Sequence, residues 1–274
     1  MPYTSAPTVL VAVGDELLSG HTQDTNSRLL ATRLFEAGHP VRRIEVVADD
    51  ETAIAAAIAR ALAEDGVRSV VVSGGIGPTP DDRTFAAVAL AVGRPLELNP
   101  VAIAHIAGLV QRMHQAGWVE TAEVSEANRR AAMVPAGATV LTNRRGMSPG
   151  LAIDTGAGQT VFVLPGIPRE LSTILEEEML PAYFGGGEVP SVLELRYQAV
   201  PEAEMDGPMR AVAGEFSDVS VGSYPQTDRR ELVIRFRGRD PARVQEAAAR
   251  FGTLRPDGPA ERVVREGTSS SRQG

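Results

Sequence analysis

Ser73-Gly74-Gly75-Ile76-Gly77-Pro78-Thr79-Pro80-Asp81-Asp82-Arg83-Thr84 follows the apolar run Val67–Val72 and precedes the helix-like run Phe85–Val92. A buried strand that opens through glycines into a helix brings backbone N–H groups and a helix N-terminus together at the strand's carboxyl end. That arrangement holds phosphate. Here the loop also carries Asp81 and Asp82, whose charges repel a bare phosphate. A divalent cation with oxygen ligands, magnesium before manganese or cobalt, reconciles the two by bridging protein and substrate. Residues 74–84 hold three glycines, two prolines and two aspartates, more constraint than a plain connection needs.

Working outward, Val9–Val13 is a strand, Asp24–Ala37 a helix stopped at Gly38, Val41–Val47 a strand and Glu51–Glu64 a helix before the third strand. This alternation predicts an α/β fold with a doubly wound, mostly parallel sheet. Val101–Ala116 and Val124–Met133 read as further helices, and Val134-Pro135-Ala136-Gly137 as a turn. Val140–Leu141, Leu151–Ile153 and Thr160–Leu164 read as short strands, with a hairpin around Asp154–Gln159 closing one sheet edge. Pro168–Leu180 is a helix. Gly185-Gly186-Gly187 then separates a first domain, residues 1–184, from a small α+β domain at 188–253. In the latter, Val192–Val200, Val219–Ser223 and Leu232–Arg237 are expected strands, and Pro201–Ala213 and Pro241–Phe251 helices. Residues 254–274, polar and containing Ser269-Ser270-Ser271, read as a disordered tail.

Composition removes several chemistries. The chain of 274 residues has no cysteine, so disulfides, thiolate zinc and cysteine nucleophiles are excluded. All 27 residues counted as lysine or arginine are arginine, which excludes a P-loop lysine and a Schiff base. No apolar run reaches the ~18 residues of a membrane span, and Met1–Thr8 has no basic n-region, so the expected setting is the cytoplasm. Residues 1–190 hold 14 arginines against 22 acidic residues, whereas 191–274 hold 13 of each. An acidic first half argues against a nucleic-acid groove and suits metal-assisted work on a small anion.

Five other segments offer candidate ligands. Gly14-Asp15-Glu16-Leu17-Leu18-Ser19-Gly20 lies at the carboxyl end of the first strand, where open α/β sheets bind ligands. Asp24-Thr25-Asn26-Ser27 caps the next helix, or uses Thr25 and Asn26 to hydrogen-bond a ligand there. Asp49-Asp50-Glu51 suits a helix N-terminus, and also suits a metal if the fold brings another carboxylate near. Finally, Asn143–Gly150, containing Arg145, Gly146, Pro149 and Gly150, and Leu164–Glu170, containing Pro165 and Gly166, are turn-rich and together wall one pocket.

In order and spacing these motifs resemble the competence/damage-inducible CinA-like family, whose main domain has the molybdopterin-binding fold, a three-layer α/β arrangement. The resemblance rests on Gly14–Gly20 with Asp24–Ser27, on Gly74–Thr84, on Gly146 with Pro149-Gly150, and on Val163–Pro168. It covers residues 8–184 and extends more loosely to about 252, where Val221-Gly222-Ser223-Tyr224-Pro225 is similar to the family's small KH-like domain. It implies a nucleotide-utilising domain with metal-dependent pyrophosphatase activity on ADP-ribose, and homo-oligomers, dimer or trimer. Long members add a nicotinamide mononucleotide deamidase domain, an activity not expected here. In molybdenum-cofactor relatives the position of Asp82 belongs to the loop that activates or adenylylates molybdopterin, and Asp49 matches another acidic position of that site. Ser148, where many relatives have alanine, and the basic pair Arg144-Arg145, a candidate contact for a second phosphate, depart from the pattern. The small domain lacks the GxxG loop with which KH domains clamp RNA.

The leading expectation is therefore hydrolysis of a nucleoside diphosphate-linked compound. Asp82, with Asp49 or Asp81, holds a metal that activates water. Amides of Gly74, Gly75, Gly77 and Thr79, beside Pro78 and the helix starting at Thr84, take up developing charge. Molybdopterin binding or adenylyl transfer, and a non-catalytic nucleotide-binding role linked to competence, are the alternatives.

Overall fold

The computed structural model describes residues 7–255, 257–265 and 267. The chain divides into two compact units, one ending at Gly185 and the other beginning at Gly186.

In chain order the first unit comprises β1 (Thr8–Val13), α1 (Asp15–Leu18), α2 (Thr25–Glu36), β2 (Val41–Val47), α3 (Glu51–Ala63), β3 (Ser69–Ser73), α4 (Thr84–Val92), β4 (Leu96–Leu98) and α5 (Pro100–Gln115). It continues with α6 (Glu126–Arg130), β5 (Met133–Pro135), β6 (Thr139–Leu141), β7 (Gly150–Asp154), β8 (Thr160–Leu164) and α7 (Pro168–Ile174), which runs through a π turn into α8 (Leu180–Tyr183). Six strands form one sheet in the order β2-β1-β3-β8-β7-β6. β2, β1, β3 and β8 are parallel, while β7 and β6 continue the sheet antiparallel.

β1 is buried along its whole length, as a central parallel strand must be. Its alternate side chains feed two cores. Val9, Val11 and Val13 pack with Ile54, Ile58 and Val88 from α3 and α4. Leu10 packs with Leu30 and Leu34 of α2 and Leu171 and Ile174 of α7. The result is helix, sheet, helix, the three-layer form expected from the alternation. All the carboxyl ends of the parallel strands emerge on one edge.

The expected helix Val124–Met133 is corrected. Only Glu126–Arg130 is helical, opened by the Ser125 hydroxyl accepting from Asn128 N–H. Met133–Pro135 instead pairs antiparallel with Leu96–Leu98 as a separate two-stranded sheet. Ala131 and Ala132, buried against Ala102 and Ile106 of α5, end the helix, and Pro135 cannot continue one.

The second unit runs β9 (Ser191–Gln198), a 3₁₀ turn, α9 (Asp206–Glu215), β10 (Ser220–Gln226), β11 (Glu231–Gly238), α10 (Pro241–Leu254) and β12 (Glu261–Arg265). Its strands form an antiparallel sheet in the order β10-β11-β9-β12. Leu193, Leu195, Ile234 and Phe236 on the sheet pack against Val212, Val244 and Phe251 on the helices. Here the expected disordered tail is overturned for Glu261–Arg265. That segment pairs with β9, because the edge of β9 offers a row of open backbone groups that a charged but extended segment can satisfy. Ser269-Ser270-Ser271 lie outside the described residues. Among the described residues no helix is long and apolar enough to cross a membrane.

Candidate functional site

The loop after β3 is set by its glycines. Gly74 has φ +101, and a Cβ there would stand 2.3 Å from the carbonyl oxygen of Val13. Only glycine lets the chain leave β3 so close to β1. Gly74 N–H donates to Leu164 O at 3.1 Å, so the loop is fastened to β8 as well. Thr84, fully buried at the start of α4, donates its hydroxyl to Gly74 O at 2.8 Å and its N–H to Gly75 O at 3.0 Å. The two ends of the loop are thus tied together. Arg130 of α6 adds a bond to Pro78 O at 3.3 Å.

These ties leave donors unspent. Among the described residues no acceptor reaches the N–H groups of Gly75, Ile76 or Gly77. Asp82 does not cap α4; Arg83 occupies that position without a side-chain bond. Instead Asp82 Oδ2 accepts from Thr79 N at 2.8 Å and from Thr79 Oγ1 at 2.5 Å. That turn holds the loop open, and Asp82 lines the cleft.

On the neighbouring strand ends, Asp49 Oδ2 accepts from Asp15 N at 2.9 Å. Burial pushes the Asp49 carboxyl above its ordinary value, and Asp15, Glu16 and Asp81 push it further, against the Asp15 N–H bond. A Cβ on Gly75 would lie 3.5 Å from Asp49 Oδ1, so this carboxylate stands beside the loop. Among the described residues no group of three His, Cys, Asp or Glu side chains forms a metal set.

The cleft has a second wall. Met147, Ser148, Pro165, Gly166, Ile167 and Glu170 face Gly75–Pro78 and Asp82 across a volume of about 340 Å³. Next to it a smaller hollow is lined by Glu16, Asp24, Thr25, Asn26, Ser73 and Gly166. Asn26 Nδ2 donates to Gly166 O at 2.7 Å, while its buried Oδ1 has no partner among the described residues.

Other expected ligands are not among the residues lining this cleft. Gly150 and Pro149 are buried away from the opening, and a Cβ on Gly150 would meet Ile174 at 3.0 Å and Leu141 at 3.2 Å. Arg144 turns to Glu177 at 3.4 Å rather than to the cleft, and Arg145 is exposed on the surface. Gly146 stands where a Cβ would overlap the Glu170 carboxylate.

Asn143, which opens the segment expected to wall a pocket, and His105, which sequence reasoning missed, hold this wall. Asn143, 1% exposed, donates to Ser148 O at 2.8 Å and Glu170 Oε2 at 2.6 Å, and accepts from the N–H groups of Arg145 and Gly146. All its hydrogen-bonding capacity is used. His105 of α5 meets Gly146 O through Nε2 at 3.0 Å, and since the carbonyl only accepts, Nε2 carries the proton. Asn143 had a signal, a polar residue ending a strand before a turn; His105, in a helical stretch, had none.

Residues 9–184 match the family model described as a probable molybdopterin binding domain, and residues 193–263 match that of the FAD synthase middle domain. A CinA-like protein of Citrifermentans bemidjiense is 37% identical over 242 residues, covering 87% of this chain and 56% of its own length. Protein TK1472 of Thermococcus kodakarensis is 41% identical over 172 residues, covering 63% of this chain and 68% of its own. The crystal structure of the protein CinA from Thermoplasma acidophilum, of unknown function, is 32% identical with a TM-score of 0.55, over 63% of this chain and 95% of that one. The chain therefore spans little more than half of the CinA-like relative it matches.

Proposed function

The chain belongs to the probable molybdopterin binding domain family, and from that membership we propose that its cleft binds a phosphate-bearing pterin or nucleotide and positions it for phosphoryl or adenylyl transfer. One observation carries the reading: the N–H groups of Gly75, Ile76 and Gly77, which no acceptor reaches among the described residues, stand at a cleft. Donors fixed in place before the ligand arrives stabilise phosphate charge with little reorganisation. The wall of Met147, Pro165 and Ile167 offers apolar surface for a flat ring. The family match favours pterin or nucleotide binding over the ADP-ribose hydrolysis expected from sequence, for which the comparisons offer no support.

A divalent metal fits this arrangement in the mode where substrate phosphates and water complete the shell around one or two carboxylates. Asp49 and Asp82 would hold it, and it would neutralise phosphate charge. The crowding of Asp15, Glu16 and Asp81 around Asp49 is the charge such a cation relieves. Assembly as a dimer or trimer and a cytoplasmic setting belong to the same proposal.

Calorimetric titration with ADP and with 6-hydroxymethylpterin diphosphate, with magnesium present, tests the reading. Binding is expected for at least one. Thr84→Val, which removes the hydroxyl tie to Gly74 O, is expected to weaken it by about tenfold or more. Failure of both compounds to bind with or without magnesium sinks it.

A further inference from the structure

The two edges of the six-stranded sheet are built differently. β6 is three residues long, Thr139–Leu141, too short to invite another strand. In the second unit the edge strand β10 carries Pro225, which withholds a donor. β2 has neither device. It runs seven residues, Val41–Val47, in unbroken register with β1 from Arg43 onward. Among the described residues no strand pairs with its other side, so its outer backbone groups form an open row.

The side chains along this row fit a second strand better than they fit water. Ile44 is 47% exposed and Val46 37%, both on one face, and Leu18, 55% exposed, lies on α1, which packs against β2. The other face holds charge: Arg43 bonds Glu45 and Glu64, and Arg60 bonds Glu45. The order Arg43-Ile44-Glu45 is self-complementary. Edge strands are commonly kept apart by an inward charge that would meet its like in another copy. Here an antiparallel copy centred on Ile44 sets Arg43 against Glu45 twice and isoleucine against isoleucine once. Moving the centre by one residue either way sets arginine against arginine or glutamate against glutamate. Charge therefore selects one register.

We propose that β2 is the two-fold interface of a homodimer, in which two copies of this chain join edge to edge, antiparallel, with Ile44 on the axis. The contact is isologous, so it closes at two copies. Backbone hydrogen bonds hold the strands together, Ile44 leaves water, and the two Arg43–Glu45–Arg60 networks interleave with each charge facing its opposite. The inference narrows the assembly named above to a two-fold pair. It stands apart from the cleft reading, since neither needs the other.

The test uses the full chain. Sedimentation at micromolar concentration is expected to give the mass of two chains, and Ile44→Asp, which puts two carboxylates on the axis, the mass of one. The chain has no cysteine, so an introduced thiol reports contact without background. Directly opposed residues of an antiparallel pair have Cα atoms about 4.5–5.5 Å apart, within reach of a disulfide. Ile44→Cys should therefore crosslink to a covalent dimer under mild oxidation. Val46→Cys should not, because two residues off the axis its counterpart lies about 13 Å away along the strand. Both positions are already exposed, so these exchanges leave the core untouched. A monomer or a trimer in the unaltered protein overturns the proposal. So does a dimer that Ile44→Asp leaves intact, or one in which Val46→Cys crosslinks as readily as Ile44→Cys. Ligand binding is read separately by calorimetry, so failure here leaves the cleft reading standing, and failure there leaves this one.

Discussion

The glycine loop of the first unit and the arginine-rich sheet of the second handle polar groups in opposite ways. Around Gly75–Gly77, donors stand open in a cleft. On the sheet of the second unit, charge is spent internally. Glu194, 7% exposed, takes Arg235 at 2.7 Å and Arg196 at 3.1 Å, and Arg235 also lies over the Tyr224 ring at 4.5 Å. Arg243 and Arg250 on α10 pair with Asp218 and Glu215. An arginine-rich hairpin invites a nucleic-acid reading, yet Arg235 is already paired with Glu194 and Arg239 with Glu188. Unspent hydrogen-bonding capacity, rather than charge count, is what separates the two regions.

The sharpest way to break this contrast is Gly74→Ala. A side chain at φ +101 and 2.3 Å from a backbone oxygen has nowhere to go, so the expected loss is about 4 kcal/mol, read by chemical denaturation, with ligand binding lost as well. A loss below about 1 kcal/mol would show that the loop does not need its close approach to β1.

Next, Glu194→Ala should cost about 2 kcal/mol, less than for a fully buried pair because Arg235 is partly solvated. Burial alone would raise this carboxyl, but Arg235 and Arg196 outweigh it and hold it below the usual carboxylate range. The group therefore stabilises the fold above the unfolded-state value and loses that contribution as pH falls through the folded one. Acid titration of Tm should show a steeper decline for the unaltered protein than for the variant.

The smallest effect has the opposite sign. Asp49 is raised, so its contribution to stability is present at low pH and is lost as pH rises through its folded value. Asp49→Asn should raise Tm slightly at neutral pH while weakening any magnesium dependence of binding. A lower Tm would mean that the carboxylate stabilises the empty protein, and the contrast with Glu194 would dissolve.

Much of the first unit is legible because its strands are short apolar runs with helical stretches between them, and the two periods differ. The glycine loop is legible because φ-positive positions and close approaches admit few other residues. The failures lie where local pattern underdetermines partners. Val124–Met133 has helical composition, but a strand at Leu96–Leu98 was waiting for its end. Glu261–Arg265 looks like polar tail until the edge of β9 is known. Pro149 and Gly150 resemble a ligand turn, yet both are buried, and Gly150 leaves room for Ile174.

From the chain alone came the parallel sheet, the glycine loop at its carboxyl edge and the exclusion of thiol and lysine chemistry, because periodicity, backbone freedom and residue inventory are local properties. The choice of which polar groups are consumed and which stay open was made by the tertiary structure. Asn143, His105 and Glu170 come from separate elements, and only their meeting in space closes the hydrogen bonds that hold one wall of the cleft.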